Sequence, residues 1–331
     1  MNNGVNSSFN SNPLVTFALF TYNQEDYVRE AVESALAQDY CPLEILISDD
    51  CSTDKTVDII KSIIIYSCSR HIIRLNVNKS NIGLANHVNK IFEMASGDLI
   101  VAAAGDDISM PHRVTRLVDV FTLNNAMLIH SSAISIDIAG VQIGVVSPDI
   151  GIRSISPFDA ARSLSFYIGA TGAWSRLLYT KYGAIVCPHS YEDLVFGFRA
   201  VLETSIEYIN EPLVKYRIGS GITTKNPSSK TKFFNECAQR LRTLHVIADV
   251  YSQRLLDLNV VRTRSDFFVM SSYLEKEITI HKNMILFHQN PLRLIFNLFS
   301  KDFNLIFKSI ACEFNFFIKL ILKSIIQFIK N

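Results

Sequence analysis

The sequence predicts an α/β protein built on a mostly parallel sheet covered by helices on both faces. Three features predict this. Four short apolar runs recur early in the chain: LVTFALF at 14–20, LEILISD at 43–49, IIRLNVN at 72–78 and DLIVAAA at 98–104. Between them lie segments whose apolar residues recur at helical spacing, not in alternation. The connections are short, which makes each helix the crossover between neighbouring parallel strands.

LVTFALF is apolar on both faces, as a central parallel strand must be. The segment TYNQEDYVREAVESALAQDY follows it. There Tyr27, Val28, Ala31, Val32, Ala35 and Leu36 share one helix face, the first turn is acidic, and Asn23 is the expected cap. LEILISDD is a second strand, and CSTDKT supplies capping residues for the helix after it. IIRLNVN is a third strand. NIGLANHVNKIFEMAS is a third helix, with Gly97 placed as its C-cap. DLIVAAAGDD is the fourth strand, and Ser109 with Pro111 is expected to open the next helix.

Beyond Arg113, AMLIHSSAISIDIAGVQIG reads as a hairpin-like strand pair and SPFDAARSLSF as a helix. A loop and helices follow across 169–203, then a strand from Ile206 and a polar loop. NPSSK is the best boundary, and everything from Lys232 reads helical. The expected organisation is a frayed tail over 1–12, a catalytic domain over 13–226 and a helical region over 227–331.

The chain has 331 residues, 48% hydrophobic and 19% charged, with a net charge of +1. That balance carries no nucleic-acid signature. The six cysteines form no C-x-x-C pair, and their spacings suit no common zinc site. The polar start MNNGVNSSFNSNP lacks the charged and apolar regions of a signal peptide, so reduced thiols and a cytoplasmic location are expected. No glycine-rich dinucleotide fingerprint follows the first strand, and there is no P-loop.

Asp49-Asp50 and Asp106-Asp107 both end apolar strands. A buried carboxylate pair is costly unless something neutralises it. Ligands of such sheets sit at the carboxyl ends of the strands, so the two pairs are expected to converge on one crevice.

Taken in order, VTFALFTYNQEDYVREAVESALAQDY, LEILISDDCSTDKT, NIGLANHVNKIFEMASGDLIVAAAGDD and YEDLVFGFR resemble the family 2 glycosyltransferases over roughly the first two-thirds of the chain. The resemblance implies a GT-A fold, a Rossmann-like sheet that binds a nucleotide-sugar. It implies that Thr21, Tyr22 and Asn23 pack on nucleobase and ribose, and that Asp50 accepts from the base N3–H. It implies that Asp107 ligates a divalent ion, Mn²⁺ or Mg²⁺, that holds the diphosphate, while Asp106 faces sugar or ribose. In YED it implies a general base for the acceptor hydroxyl, Asp193 first and Glu192 second, acting in a single inverting displacement. Read locally, the same residues are a helix cap, a helix start and an acidic turn opening a helix. Ser52, Thr53 and Asp54 read as a turn and cap. Gly219 stands where many relatives carry a histidine, which implies either weaker metal affinity or a share of the diphosphate charge taken by Arg217 or Lys225. Trp174 is open to two readings, an acceptor platform or a core side chain.

From Leu292 onward six basic residues face two acids in a segment full of Phe, Ile and Leu. At helical spacing Lys301, Lys308, Lys319, Lys323 and Lys330 fall within an arc of about 60°. No charge-free run reaches the ~18 residues of a spanning helix. A basic stripe on an apolar helix suits an anionic membrane surface. The alternative is a helix packed on the catalytic domain with its lysines in water. The expected function is a metal-dependent, inverting glycosyltransferase. It takes a nucleotide-diphosphate sugar as donor and a glycan or lipid-linked acceptor of a bacterial surface glycan (O-antigen or capsule), at the inner face of the plasma membrane. A nucleotidyltransferase and a non-catalytic sugar- or nucleotide-binding relative are the alternatives.

Overall fold

The computed structural model describes residues 12–147, 155–219, 232–290 and 303–330. Four parallel strands form the first half of the sheet: β1 (Val15–Thr21), β2 (Leu43–Asp49), β3 (Ile72–Val77) and β4 (Leu99–Ala104), in the order β3-β2-β1-β4. Helices α1 (Val28–Leu36), α2 (Thr56–Tyr66) and α3 (Leu84–Met94) are the crossovers.

The second half is mixed. Two-residue β5 (Ile108–Ser109) and helix α4 (Arg113–Asn124) lead to β6 (Leu128–Ile136) and β7 (Gln142–Val146), the expected hairpin pair. After α5 (Pro157–Arg162), the three-residue β8 (Ala173–Ser175) wedges antiparallel between β4 and β6. Helices α6 (Arg176–Tyr182) and α7 (Glu192–Leu202) precede β9 (Ile206–Arg217), which runs parallel to β6 and antiparallel to β5. β5 and β8 are too short to leave a periodic signature, so the sequence reading does not contain them.

Alternate residues of each central strand enter opposite cores, as the two-residue pleat requires. Phe17, Leu19, Ile45, Ile47, Leu99 and Val101 pack with α1, α2 and α4. Ala18, Leu46, Ile100 and Ala102 pack with α3, α7 and the helices beyond.

Three long helices follow: α8 (Lys232–Val260), α9 (Phe267–Gln289) and α10 (Phe303–Lys330). Val250, Tyr251 and Leu258 of α8 and Met270 and Leu274 of α9 belong to the same apolar cluster as the sheet and α7. A buried, bidentate ion pair from Arg199 to Asp257 (2.8 and 2.9 Å) fastens α7 to α8. The NPSSK boundary lies outside the described residues.

Helix α10 docks on α8 and α9 through Ile306, Ser309, Glu313 and Leu320, all buried. Glu313 accepts from Arg240 (2.5 Å) and His288 (2.7 Å). Its outward side exposes Phe307, Phe314, Ile318 and Leu322. Lys308 and Lys319 are exposed as well, and Lys308 lies 3.8 Å from Glu277. Lys301 and the side chains of Lys323 and Lys330 lie outside the described residues. Among the described residues no helix is long and apolar enough to cross a membrane.

Three expected caps are corrected. Helix α1 begins at Val28 with Tyr27 at its N-cap and no side-chain cap, so Asn23 does not cap it. Ala95 ends α3, and Gly97 is small for another reason: a Cβ there would run into the β1 main chain at Val15 and Thr16. Ser109 lies in β5 and accepts a hydrogen bond from Arg113 (2.9 Å), and α4 starts only at Arg113.

Candidate functional site

β1, β2 and β4 are parallel and adjacent, so Thr21, Asp49-Asp50 and Asp106-Asp107 emerge at one edge of the sheet. Two loops there are laced together. Asn23, at φ +51°, donates its N–H to Ser52 Oγ (2.8 Å), and its Oδ1 accepts from the Thr53 N–H (2.8 Å). Ser52 Oγ in turn donates to Asp49 (2.5 Å), which also accepts from Thr21 (2.9 Å). Asp54 accepts from the N–H groups of Thr56 (3.0 Å) and Glu25 (3.1 Å). The turn-and-cap residues of the second loop thus hold the Thr21–Asn23 loop in place. Thr21 faces inward, while the Tyr22 ring is 39% exposed at the rim.

Asp50 is buried and accepts three hydrogen bonds at 2.9–3.0 Å, from the Asn78 side chain and the Ile82 and Gly83 N–H groups. It therefore fixes the turn before α3, and a carboxylate has room for about four donors, so one position is left.

The Asp106-Asp107 pair is buried in the turn between β4 and β5. Asp106 accepts from the Gln24 side chain (2.9 Å). Asp107 Oδ1 accepts from the Arg217 N–H (2.8 Å), whereas its Oδ2 is buried with no hydrogen-bond partner. Burial and the adjacent Asp106 carboxylate push the Asp107 carboxyl up to about 8. Arg113, fully buried behind the pair, binds the carbonyls of Ala102 and Ala170 (both 2.8 Å). Burial lowers its guanidinium to about 9.

Arg217 is buried, against the expectation that it meets diphosphate. Its guanidinium donates to Glu30 (2.6 Å) and to the carbonyls of Asp106, Asp137 and Ile138 (2.9–3.2 Å), and it lies over the Tyr27 ring. It braces the acidic turn instead. Lys225 lies outside the described residues. Gly219 has φ +100°, a backbone conformation in which a histidine is strained. Trp174 is fully buried, stacks on Phe196 and donates to the Tyr167 hydroxyl (2.8 Å), so it is a core side chain and not an acceptor platform.

Glu192 and Asp193 form the first turn of α7 and are half-buried. Asp193 Oδ1 accepts from the Leu194 N–H (2.7 Å). Glu192 lies against Gly169, where any Cβ would collide with its carboxylate. Burial raises both acids, and the neighbouring Asp193 adds to the rise of Glu192, leaving Glu192 at about 8 and Asp193 at about 6. Two carboxylates this close do not ionise together, so the pair loses its first proton well before its second.

Tyr216 of β9 lies within electrostatic reach of both acidic turns: burial raises its phenol, and Asp107 and Asp106 of the β4–β5 turn and Asp193 of α7 add to the rise. Tyr216, Gln24 and Gly169 are absent from the sequence reading. Only their closeness in space marks them.

Residues 16–199 match the family described as Glycosyl transferase family 2. The succinoglycan biosynthesis protein ExoO of Rhizobium meliloti (strain 1021) is 30% identical over 156 residues, 45% of this chain and 39% of ExoO. The chain spans 38% and 66% of the length of two other curated relatives. Among solved structures, S. aureus TarS 1–349 in complex with UDP-GlcNAc superposes with a TM-score of 0.53 at 15% identity, covering 83% of this chain and 81% of that one. The mannosyltransferase PcManGT from Pyrobaculum calidifontis, in complex with GDP-Man and Mn²⁺, gives a TM-score of 0.53 at 15% identity over 88% of this chain and 76% of its own. At that identity the two structures establish the fold, which is GT-A.

Proposed function

The chain belongs to glycosyl transferase family 2, and from that premise we propose that it moves a sugar from a nucleoside diphosphate to a hydroxyl acceptor with inversion, using Asp193 as the base. Asp107, with its buried Oδ2 unpartnered, and Asp193, in the first turn of α7, both act on the Tyr216 phenol, and that observation carries this reading. One pair is suited to charge neutralisation and the other to proton transfer.

Tyr22 offers the exposed ring for the nucleobase, and Asp50 keeps one acceptor position beside it. A divalent ion fits at Asp107, whose buried Oδ2 lacks a partner, with Asp106 beside it. Both offer hard oxygen, the donor type of Mg²⁺ or Mn²⁺. Among the described residues no cluster of three or more His, Cys, Asp or Glu is positioned for a metal, so this chain's share of the coordination would be Asp107 and Asp106. Such an ion supplies positive charge for the departing diphosphate.

The ionised Asp193 takes the proton of the acceptor hydroxyl as its oxygen attacks the anomeric carbon. The bond from that carbon to the diphosphate oxygen breaks, and the nucleoside diphosphate leaves with the electron pair. One displacement inverts the anomeric configuration. The raised Glu192 carboxyl keeps a second negative charge out of this turn.

The test is a panel of UDP- and GDP-sugars with Mn²⁺ and a glycan acceptor. Release of nucleoside diphosphate, not pyrophosphate, is expected, and it separates this reading from a nucleotidyltransferase. Asp193→Asn should reduce turnover about 10²–10⁴-fold with donor affinity unchanged. Full activity in Asp193→Asn together with loss in Glu192→Gln moves the base to Glu192, and no turnover of any donor by the wild type favours a non-catalytic relative.

The relative ExoO bears the name of a succinoglycan biosynthesis protein, and we place this chain likewise in the synthesis of a bacterial surface glycan on a lipid-linked acceptor. The outward side of α10, with Phe314, Ile318 and Leu322 beside Lys308 and Lys319, is the surface that meets an anionic membrane.

A further inference from the structure

Arg254 of α8 lies outside the residues that match the family, 16–199, yet it reaches the first turn of α7. It is fully buried. Its Nη1 donates to the Ala161 carbonyl of α5 (3.1 Å) and its Nη2 to the Leu194 carbonyl (3.2 Å), one residue beyond Asp193. Its Nε has no hydrogen-bond partner. Phe166, Phe198 and Tyr251 pack around the guanidinium with ring centres 5.4–5.9 Å away. A buried guanidinium bonded only to carbonyls is costly unless a carboxylate compensates it. Two carboxylates act on it, Asp193 and Asp257, together with the Tyr251 and Tyr273 phenols. Asp257 is already held by both arms of Arg199. Asp193, which no arginine side chain grips among the described residues, is the carboxylate most in need of this charge, with Asp257 sharing it.

We propose that Arg254 is a positioning residue for the transfer: it grips the Leu194 carbonyl, fixes the first turn of α7, and keeps the Asp193 carboxylate ionised beside Glu192. The helical region thereby completes a catalytic turn that the matched domain supplies only in part. This rests on Asp193 being the base.

The groups facing Asp193 are Glu192, the phenols of Tyr167, Tyr191 and Tyr216, and Arg254; Arg242 acts on Tyr191 from α8. The phenols are pushed up and stay neutral, so Arg254 is the cation that acts on Asp193. Removing its charge raises the Asp193 carboxyl, enlarges its protonated fraction near pH 6–7, and moves the acid limb of the rate profile to higher pH.

The test compares Arg254→Met and Arg254→Gln, both neutral, with Arg254→Lys, in the full chain with the donor that the wild type turns over, from pH 5 to 9. Both neutral variants should shift the acid limb up by about one unit, so that the rate at pH 6 relative to pH 8.5 falls about fivefold. Arg254→Lys should keep the wild-type limb, and Mn²⁺-dependent UDP binding by calorimetry should stay unchanged in all three. Gln retains donors for the carbonyls if Met fails to fold. A folded neutral variant with an unmoved limb, a loss equal at every pH, or a lysine variant that shifts as far as the neutral ones overturns the proposal. Normal activity in Asp193→Asn overturns the base assignment, whereas an inactive Asp193→Asn with an unmoved limb in the neutral variants overturns Arg254 alone.

Discussion

The carboxylates of this site differ in what they already hold. Asp49 and most of Asp50 are engaged by loop hydrogen bonds, and one oxygen of Asp106 accepts from Gln24. Asp107 keeps one buried oxygen without a partner, which singles it out within the pair. Asp107→Ala is expected to fold and to lose Mn²⁺-dependent UDP binding, read by calorimetry with and without the metal. Mn²⁺-dependent binding equal to that of the wild type would remove Asp107 from the metal site. In YED the division is by charge state, since burial and mutual repulsion let one acid ionise before the other. Local sequence reads both residues as a favourable acidic helix start, which they also are.

Elements place these residues through buried pairings. The Arg199–Asp257 pair ties α7, which carries the proposed base, to α8, with Gln253 donating to the same Asp257 carboxylate (3.0 Å). Taking away one partner strands a buried charge, which costs about 3–5 kcal/mol, whereas replacing both with apolar residues is close to neutral. Asp257→Leu alone should therefore lower the thermal midpoint by many degrees, and Arg199→Met with Asp257→Leu should recover most of it, as followed by circular dichroism. A double variant as unstable as the single one would mean that the pair stabilises beyond its own desolvation. Gly97 works at the same scale, letting the turn before β4 press against β1.

At the scale of the whole molecule, α10 packs on the other carboxyl-terminal helices and, among the described residues, not on the 13–226 domain, and its membrane role is a proposal. One side packs on α8 and α9 around the buried Glu313, and the other exposes apolar side chains beside lysines. Phe314→Ser with Ile318→Ser, or Lys308→Glu with Lys319→Glu, should preserve turnover on a short water-soluble acceptor and weaken sedimentation with anionic liposomes. Each lysine near such a surface contributes about 1 kcal/mol. Raised salt should weaken wild-type sedimentation, because exposed charges are screened within about 10 Å at 0.1 M. Variants that sediment like the wild type, at low and high salt alike, would assign α10 to packing alone.

The sequence by itself determined the first half of the sheet, its crossover helices, the acidic residues at its carboxyl edge and the helical nature of the final third. Those features are written in local periodicity and in residue types at strand ends, which need no partner to be read. The tertiary structure decided the rest. β5 and β8 exist only because β9 and the strands β4 and β6 are there to pair with them. Arg217 turned from an expected phosphate contact into a brace because Glu30, Tyr27 and three carbonyls surround it. Trp174 became core because Phe196 and Tyr167 enclose it. The reach of Arg254 to the Leu194 carbonyl, and of Asp106, Asp107 and Asp193 to one Tyr216 phenol, depends on segments far apart in the chain, and no local pattern records the distance between them.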